Sequence, residues 1–345
     1  MANMNVRTSR FYTDHINYLM SRGIAQDGNF DVTATDAGAY LMGTFTTGSE
    51  AELFDMKPLN KCTFDTSADT DGHVLINIDT NSTYPKQSFV AILNHNMASA
   101  DAKVLIKASD TESHIQAVDM GSATAMSNPA EVVNADTIAS SIVTPATDGS
   151  TIVRFDESDL RYWGIQFEGD SSNTFGSTDL FVGCILLGEY YEMPHSPDLS
   201  VKRSIMFDQV KLQESVGGQR YSNMTSHGRH SSSTSKSPFS LATQNYTTYG
   251  GRIAYDLNFS YLNSTDVMPN EYSSLQYTDD AVVEDVWNKT NGPHLPFIFS
   301  IDKDSEGAGA ESEHIFARFG QPSLDMTQVA NDIWNISMRI DEEFY

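Results

Sequence analysis

The chain has 345 residues, 39% of them hydrophobic and 10% aromatic, and carries a formal net charge of -25 at pH 7. That length and apolar content allow two ordinary domains with real cores and exclude global disorder. The acidity excludes a general nucleic-acid binder, which needs clustered Lys and Arg against phosphate, and argues equally against docking on anionic membranes. Self-repulsion at this charge suits a chain that is highly soluble, or one whose charge is compensated by neighbours in an assembly.

Residues 1–50 read as an N-terminal arm with short strands. Phe11, Tyr12, Ile16, Leu19 and Met20 recur at roughly helical spacing, which predicts a short amphipathic helix or an anchoring arm over 10–22. No apolar run has the length of a signal-peptide core or a bilayer span, so a chain made in a cytoplasm and not exported by a classical signal is expected. Residues 51–193 alternate strand signals with polar turns and predict a β-sandwich. Ser88–Leu93 is a strand closed by the turn Asn94-His95-Asn96, where Asn tolerates a left-handed backbone. Lys103–Lys107 and Arg161–Glu168 are further strands, whereas 119–150 is small and polar and reads mostly as loop. Leu180–Leu187 is continuously apolar, too short for a membrane helix, and predicts a buried strand. Pro194 and Pro197 then force the chain out of that core.

Residues 194–345 predict a second, β-barrel-like unit with one helix. Val201–Leu212 is a mixed strand, and 215–250 is a long arm rich in Ser, Thr, Gly and Asn. Gly251–Leu262 is the clearest strand, with Ile253, Tyr255, Leu257, Phe259 and Tyr261 on one face. Asp279–Asn291 is the clearest helix, capped by Thr278 or Asp279, with Val282, Val283, Val286 and Trp287 inward and Gly292 as its stop. Strands follow at 295–301, 314–319 and 333–340.

Little of this carries reaction chemistry. There is no strained nucleophile turn, phosphate-cradling loop or dinucleotide fingerprint. Cys62 and Cys184 lie in apolar stretches and read as small buried hydrophobes, and spacing alone does not pair them. His227 and His230 share a polar loop without an acidic or Cys partner at ligand spacing. Asp65, Asp69 and Asp71 read as a turn. Residues 302–313 match a calcium loop more closely: Asp302, Asp304, Glu306 and Glu313 occupy its first, third, fifth and twelfth places and Gly307 its sixth. The flanks are strands, however, so the competing reading is an acidic hairpin with no cofactor. Between 202 and 252 the charge reverses: Lys202, Arg203, Lys211, Arg220, Arg229, Lys236 and Arg252 face only Asp208 and Glu214. A basic segment on an acidic chain suits contact with a neighbouring copy, with Arg220, Arg229 and Lys236 as candidate assembly contacts.

The succession FVAILNHNM, RYWGIQFEG and FVGCILLGEYYEMP resembles the sandwich domain of virion proteins from tailed bacteriophages. GGRIAYDLNFSYL, DDAVVEDVWNKTNG, HLPFIFSID and WNISMRIDEEFY resemble the distal-tail-like domain of the same group. The resemblance covers roughly 50–345. It implies a jelly-roll or galactose-binding-like sandwich followed by a tail-protein β domain, and a non-enzymatic tail or baseplate subunit located in the virion. The implied partners are copies of itself and other virion proteins. Alternatives are a neck or capsid-associated protein, or a host-attachment module in which Tyr84, Tyr162 or Phe175 stacks on a host glycan. A glycan-degrading enzyme is a third alternative, against which the absence of internal repeats weighs.

Overall fold

The computed structural model describes residues 7–21, 30–33, 45–68, 70, 72–80, 86–170, 172–207, 210–224, 238–240, 251–269, 280–307 and 309–343. The chain is mainly β, and the strands pair antiparallel throughout the described residues. An eleven-stranded sheet runs in the order Lys202–Met206, Arg252–Asn263, Ile333–Glu342, His314–Phe319, Phe297–Ser300, Arg10–Asp14, Cys184–Glu192, Gln87–His95, Gly149–Ser158 and Ala130–Val133, with Asp325–Ala330 also on Ile333–Glu342. A seven-stranded sheet runs Thr137–Ala139, Ile142–Thr144, Ala102–Ser109, Tyr162–Gly169, His73–Asp79 and Phe30–Thr33, with Thr124–Ala125 beside Ala102–Ser109.

The two sheets form a sandwich because their strands alternate toward one shared core. Val74, Ile76, Ile78, Trp163, Ile165 and Phe167 of the smaller sheet meet Val90, Ile92, Val153, Ile185 and Leu187 of the larger. A second core lies under the other half of the large sheet. There Tyr255, Leu257, Phe259, Phe297, Phe299, Ile336 and Met338 pack with Val282, Val283 and Val286 of the Val282–Asn288 helix. This helix has π geometry, and Gly292, at φ +62, ends it by donating its N–H to the Trp287 carbonyl at 2.8 Å. Thr278 and Asp279, its expected caps, lie outside the described residues.

Among the described residues none of the sheets closes into a barrel. The expected barrel-like unit is instead the far half of the open eleven-stranded sheet. The expected helix at 10–22 begins as the strand Arg10–Asp14, with helix only at His15–Ser21. Both faces of that strand are covered: Phe11 packs in one core, and Tyr12 in another with Phe89, Leu93 and Phe316. Consecutive large apolar residues on a doubly buried strand imitate a helical stripe. The expected loop at 119–150 contains the short strands Thr124–Ala125, Ala130–Val133, Thr137–Ala139 and Ile142–Thr144. The apolar run at 180–187 breaks at Gly183, where a side chain would strike the Pro58 carbonyl, and then continues as Cys184–Glu192.

Candidate assembly interface

The strand Arg10–Asp14 joins the two halves of the large sheet. It pairs with Cys184–Glu192, in register Arg10↔Glu192 to Asp14↔Gly188, and on its other edge with Phe297–Ser300. Gly188 is required at this junction, because a Cβ there would collide with the Thr13 carbonyl oxygen. Charge is buried on either side. Lys289, fully enclosed, donates to Glu189 at 2.6 Å and to Asp285 at 2.8 Å. Burial pushes the Glu189 carboxyl upward, and the Lys289 ammonium opposes that push. The Asp14 carboxyl is raised to about 6 by burial, although it accepts hydrogen bonds from the Asn17 and Leu187 backbone amides.

The predicted calcium loop belongs to this junction. Glu306 accepts from Arg10 at 2.7 Å and from Arg154 at 2.7 and 3.2 Å, and Gly307 N–H donates to the Val132 carbonyl. Burial would raise the Glu306 carboxyl, but the two guanidinium groups hold it below its ordinary value. Asp304 pairs with Arg7 at 2.9 Å, and Asp302 accepts the Asp304 backbone amide at 3.0 Å. Glu313 is partly buried and its carboxyl raised by that burial. Asp302, Asp304, Glu306 and Glu313 are therefore not gathered around one point; the loop is an arginine-bound clasp across the two halves of the sheet. Cation neutralisation does occur here, but arginines supply it.

The predicted basic segment falls at the far edge of the large sheet. Lys202–Met206 is the terminal strand, and Val210–Glu214 pairs with Arg220–Met224 as a separate two-stranded hairpin. The expected single strand at 201–212 is thus two strands. The hairpin turn is local: Ser215 N–H donates to the Gln219 carbonyl at 2.8 Å, Gly218 N–H donates to the Ser215 carbonyl at 2.9 Å, and Gly218 sits at φ +79. Arg220 pairs with Glu214 at 3.3 Å on its exposed surface. Beside these charges stand large exposed apolar side chains: Ile205, Phe207, Leu212, Val216 and Tyr221. Leu212 is 71% exposed and Tyr221 58%; the register puts them on opposite faces of the hairpin, Leu212 with Arg220 and Tyr221 with Lys211. Among the described residues Lys202–Met206 ends the sheet, and a hairpin with exposed apolar side chains follows it; surfaces of this kind can template another chain.

Arg229, Lys236, His227, His230, Asp69, Asp71 and Tyr84 lie outside the described residues. Within the expected 215–250 arm, Pro238–Ser240 is docked on the chain itself. Phe239 is buried with Phe316 and Ala310, and Ser150 Oγ donates to the Pro238 carbonyl at 2.8 Å. The N-terminal segment also packs internally, with Phe11, Tyr12, Ile16 and Leu19 all buried. Phe175 is a core residue and Tyr162 is half-buried under the Arg161 guanidinium, so neither offers an open stacking face for sugar. Asn94 adopts φ +54, while His95 contacts Thr151 Oγ1 at 2.8 Å within the sandwich. Cys62 and Cys184 are free and buried. Of the candidate contacts Arg220 lies on the hairpin, and the exposure of Leu212 and Tyr221 has no signal of its own in the sequence, since the alternation in VKLQE also describes a half-buried strand.

No protein-family model, curated protein or solved structure matches this chain.

Proposed function

We propose that the chain is a non-enzymatic structural subunit of a tailed-phage virion, in the tail or baseplate, and that it assembles by contact between copies of itself. The exposed hairpin at 210–224, with the neighbouring Lys202–Met206 edge, carries this reading. It sets Leu212 beside Arg220 on one face and Tyr221 beside Lys211 on the other, with Val216 exposed at the turn, on a chain whose overall charge is -25. Its natural occupant is the acidic surface of a second copy: apolar contact supplies affinity and opposite charge supplies orientation. Symmetric repetition of one such contact gives a ring or stack, the form of assembly that the resemblance to tail proteins implies. The junction at Arg10–Asp14 suits the same role, since it ties both halves of the subunit into one sheet.

Light scattering and electron microscopy of the purified full chain test this proposal. The expected result is a concentration-dependent closed assembly that is lost when residues 211–223 are replaced by a short Gly-Ser linker, with the circular dichroism of the remaining chain retained. A wild-type chain that stays monomeric when concentrated, or a deletion that assembles normally, overturns self-assembly. Antibody labelling of intact particles that finds the protein away from tail and baseplate overturns the location.

A further inference from the structure

A separate cluster lies on the outer face of the seven-stranded sheet. In the strand His73–Asp79, Val74, Ile76 and Ile78 face the core, so His73, Leu75 and Asn77 face outward. The same alternation turns Gln166 and Glu168 outward from Tyr162–Gly169, and Lys103 and Leu105 outward from Ala102–Ser109. Register places His73 opposite Glu168, and Glu168 opposite Lys103. The segment 110–126 folds back over this face. Met120 packs there with Leu75, Leu105 and Ile115, and Asp119 comes down beside His73 and Glu168.

We propose that His73, Asp119 and Glu168 bind a divalent transition-metal ion, with zinc the best fit, and that the ion fastens the 110–126 segment to the sheet. His73 Nε2 stands 3.5 Å from Glu168 Oε2 and 3.8 Å from Asp119 Oδ1, and all three donor atoms lie within 4.8 Å of one another. A tetrahedral ion with bonds of about 2.0 to 2.2 Å sets its ligand atoms about 3.3 to 3.6 Å apart, so a small inward movement of Asp119 completes three corners. The fourth corner faces outward past Asp119, whose side chain is 70% exposed, and is filled by water.

The cluster is also held in place from behind. Gln166 Nε2 donates to Glu168 Oε2 at 2.9 Å and to Asp119 Oδ1 at 3.3 Å, while Gln166 Oε1 accepts the Asp119 backbone N–H at 2.9 Å. One side chain therefore orients both carboxylates and leaves each oxygen a further lone pair for the ion. Lys107 Nζ donates to the Asp119 carbonyl at 2.8 Å, fixing that residue in its left-handed conformation at φ +62. Lys103 holds the other Glu168 oxygen at 3.3 Å. Burial would raise the Glu168 carboxyl, but His73, Lys103 and Gln166 hold it below its ordinary value. An imidazole among two carboxylates selects against calcium and magnesium, which take oxygen cages, and favours zinc.

The experiment uses the full chain, stripped with chelator and then titrated with zinc by calorimetry and with cobalt(II) by visible spectroscopy. The expected result is one zinc per chain, a rise in thermal midpoint on binding, and the intense visible bands of tetrahedral cobalt. Gln166→Ala should weaken zinc about 10- to 100-fold through the orienting shell, and Asp119→Asn and His73→Gln should weaken it more. Asp119 is exposed, so its variant keeps the fold even if the His73 variant does not. Absence of zinc binding, as expected of a bare His73–Glu168 pair, overturns the proposal. So does zinc binding that Asp119→Asn leaves unchanged, or preferential binding of calcium.

Discussion

The Arg10–Asp14 junction and the 210–224 hairpin treat their side chains in opposite ways. The junction buries charge and satisfies it: Lys289 between Glu189 and Asp285, and Glu306 between Arg10 and Arg154. The hairpin exposes apolar groups, Leu212, Val216 and Tyr221, while its charges face water. Buried ion pairs fix one arrangement of strands without adding much stability, whereas exposed apolar groups have their stabilising partner elsewhere. Under the proposed assembly, the difference separates what holds the chain together from what it would offer to a second copy. Substitutions at the junction should therefore unfold the chain, and substitutions in the hairpin should leave it folded.

The largest effect is expected at Lys289. Truncation to Ala leaves Glu189 and Asp285 enclosed without their cation, and such a loss costs roughly 3 to 5 kcal/mol. Urea denaturation should register it as a lower midpoint with an unchanged slope. A variant of wild-type stability would mean that the two enclosed carboxylates do without their cation at no cost, and would remove the ion triad from the account of the junction.

Acid sensitivity should come next. Burial depresses His95 to about 3 and His314 to about 4, so between pH 6.5 and those values the unfolded chain binds protons that the folded chain refuses. Stability conferred by each is present above pH 6.5 and is lost as pH falls toward 4, by roughly 3 kcal/mol for His314. Asp14 works in the opposite sense: its folded carboxyl titrates at about 6, so the folded chain gains stability as pH falls from 6 toward 3.8. His314→Gln should flatten the pH dependence of the unfolding midpoint between pH 6.5 and 4. An unchanged slope would place the acid sensitivity elsewhere.

A smaller loss is expected at Gly188. An added methyl meets the Thr13 carbonyl oxygen, which is backbone and cannot swing aside, so Gly188→Ala should cost about 1 to 3 kcal/mol. Hydrogen exchange would locate the damage: faster exchange confined to Arg10–Asp14 and its two neighbouring strands fits the junction, and uniform loss across both cores does not.

What the sequence makes legible follows how each element is buried. Gly251–Leu262 has one buried and one polar face, and its alternation is plain down to Tyr261, which departs from the pattern: φ +64 and a register shift turn it out to 77% exposure. Arg10–Asp14 has both faces covered, so no alternation marks it, and its two partner strands lie far away in sequence. The acidic loop at 302–313 is visible as a cluster of carboxylates, but Arg10 and Arg154, which claim Glu306, are too distant in sequence to be read with it. His73, Asp119 and Glu168 are likewise joined only by register and by a folded-back loop. Charge reversal between 202 and 252 is visible without a pairing partner, but of its candidate contacts only Arg220 falls among the described residues, where it pairs with Glu214.

The smallest effect on the subunit and the largest on its assembly are expected at the hairpin. Leu212→Ser and Tyr221→Ser remove apolar surface that is already in water, so the monomer's stability should change by less than about 0.5 kcal/mol. Lys211→Glu and Arg220→Glu should leave the monomer equally intact. The two pairs should separate in assembly kinetics. Loss of the apolar groups should speed dissociation at every ionic strength, since contact area holds the complex. Charge reversal should slow association most at low salt and little at high salt, because a Debye length of about 8 Å at physiological ionic strength already weakens steering. If Leu212→Ser instead destabilises the isolated subunit as much as a junction variant does, the hairpin is part of the subunit's own core, and the contrast between the two regions fails.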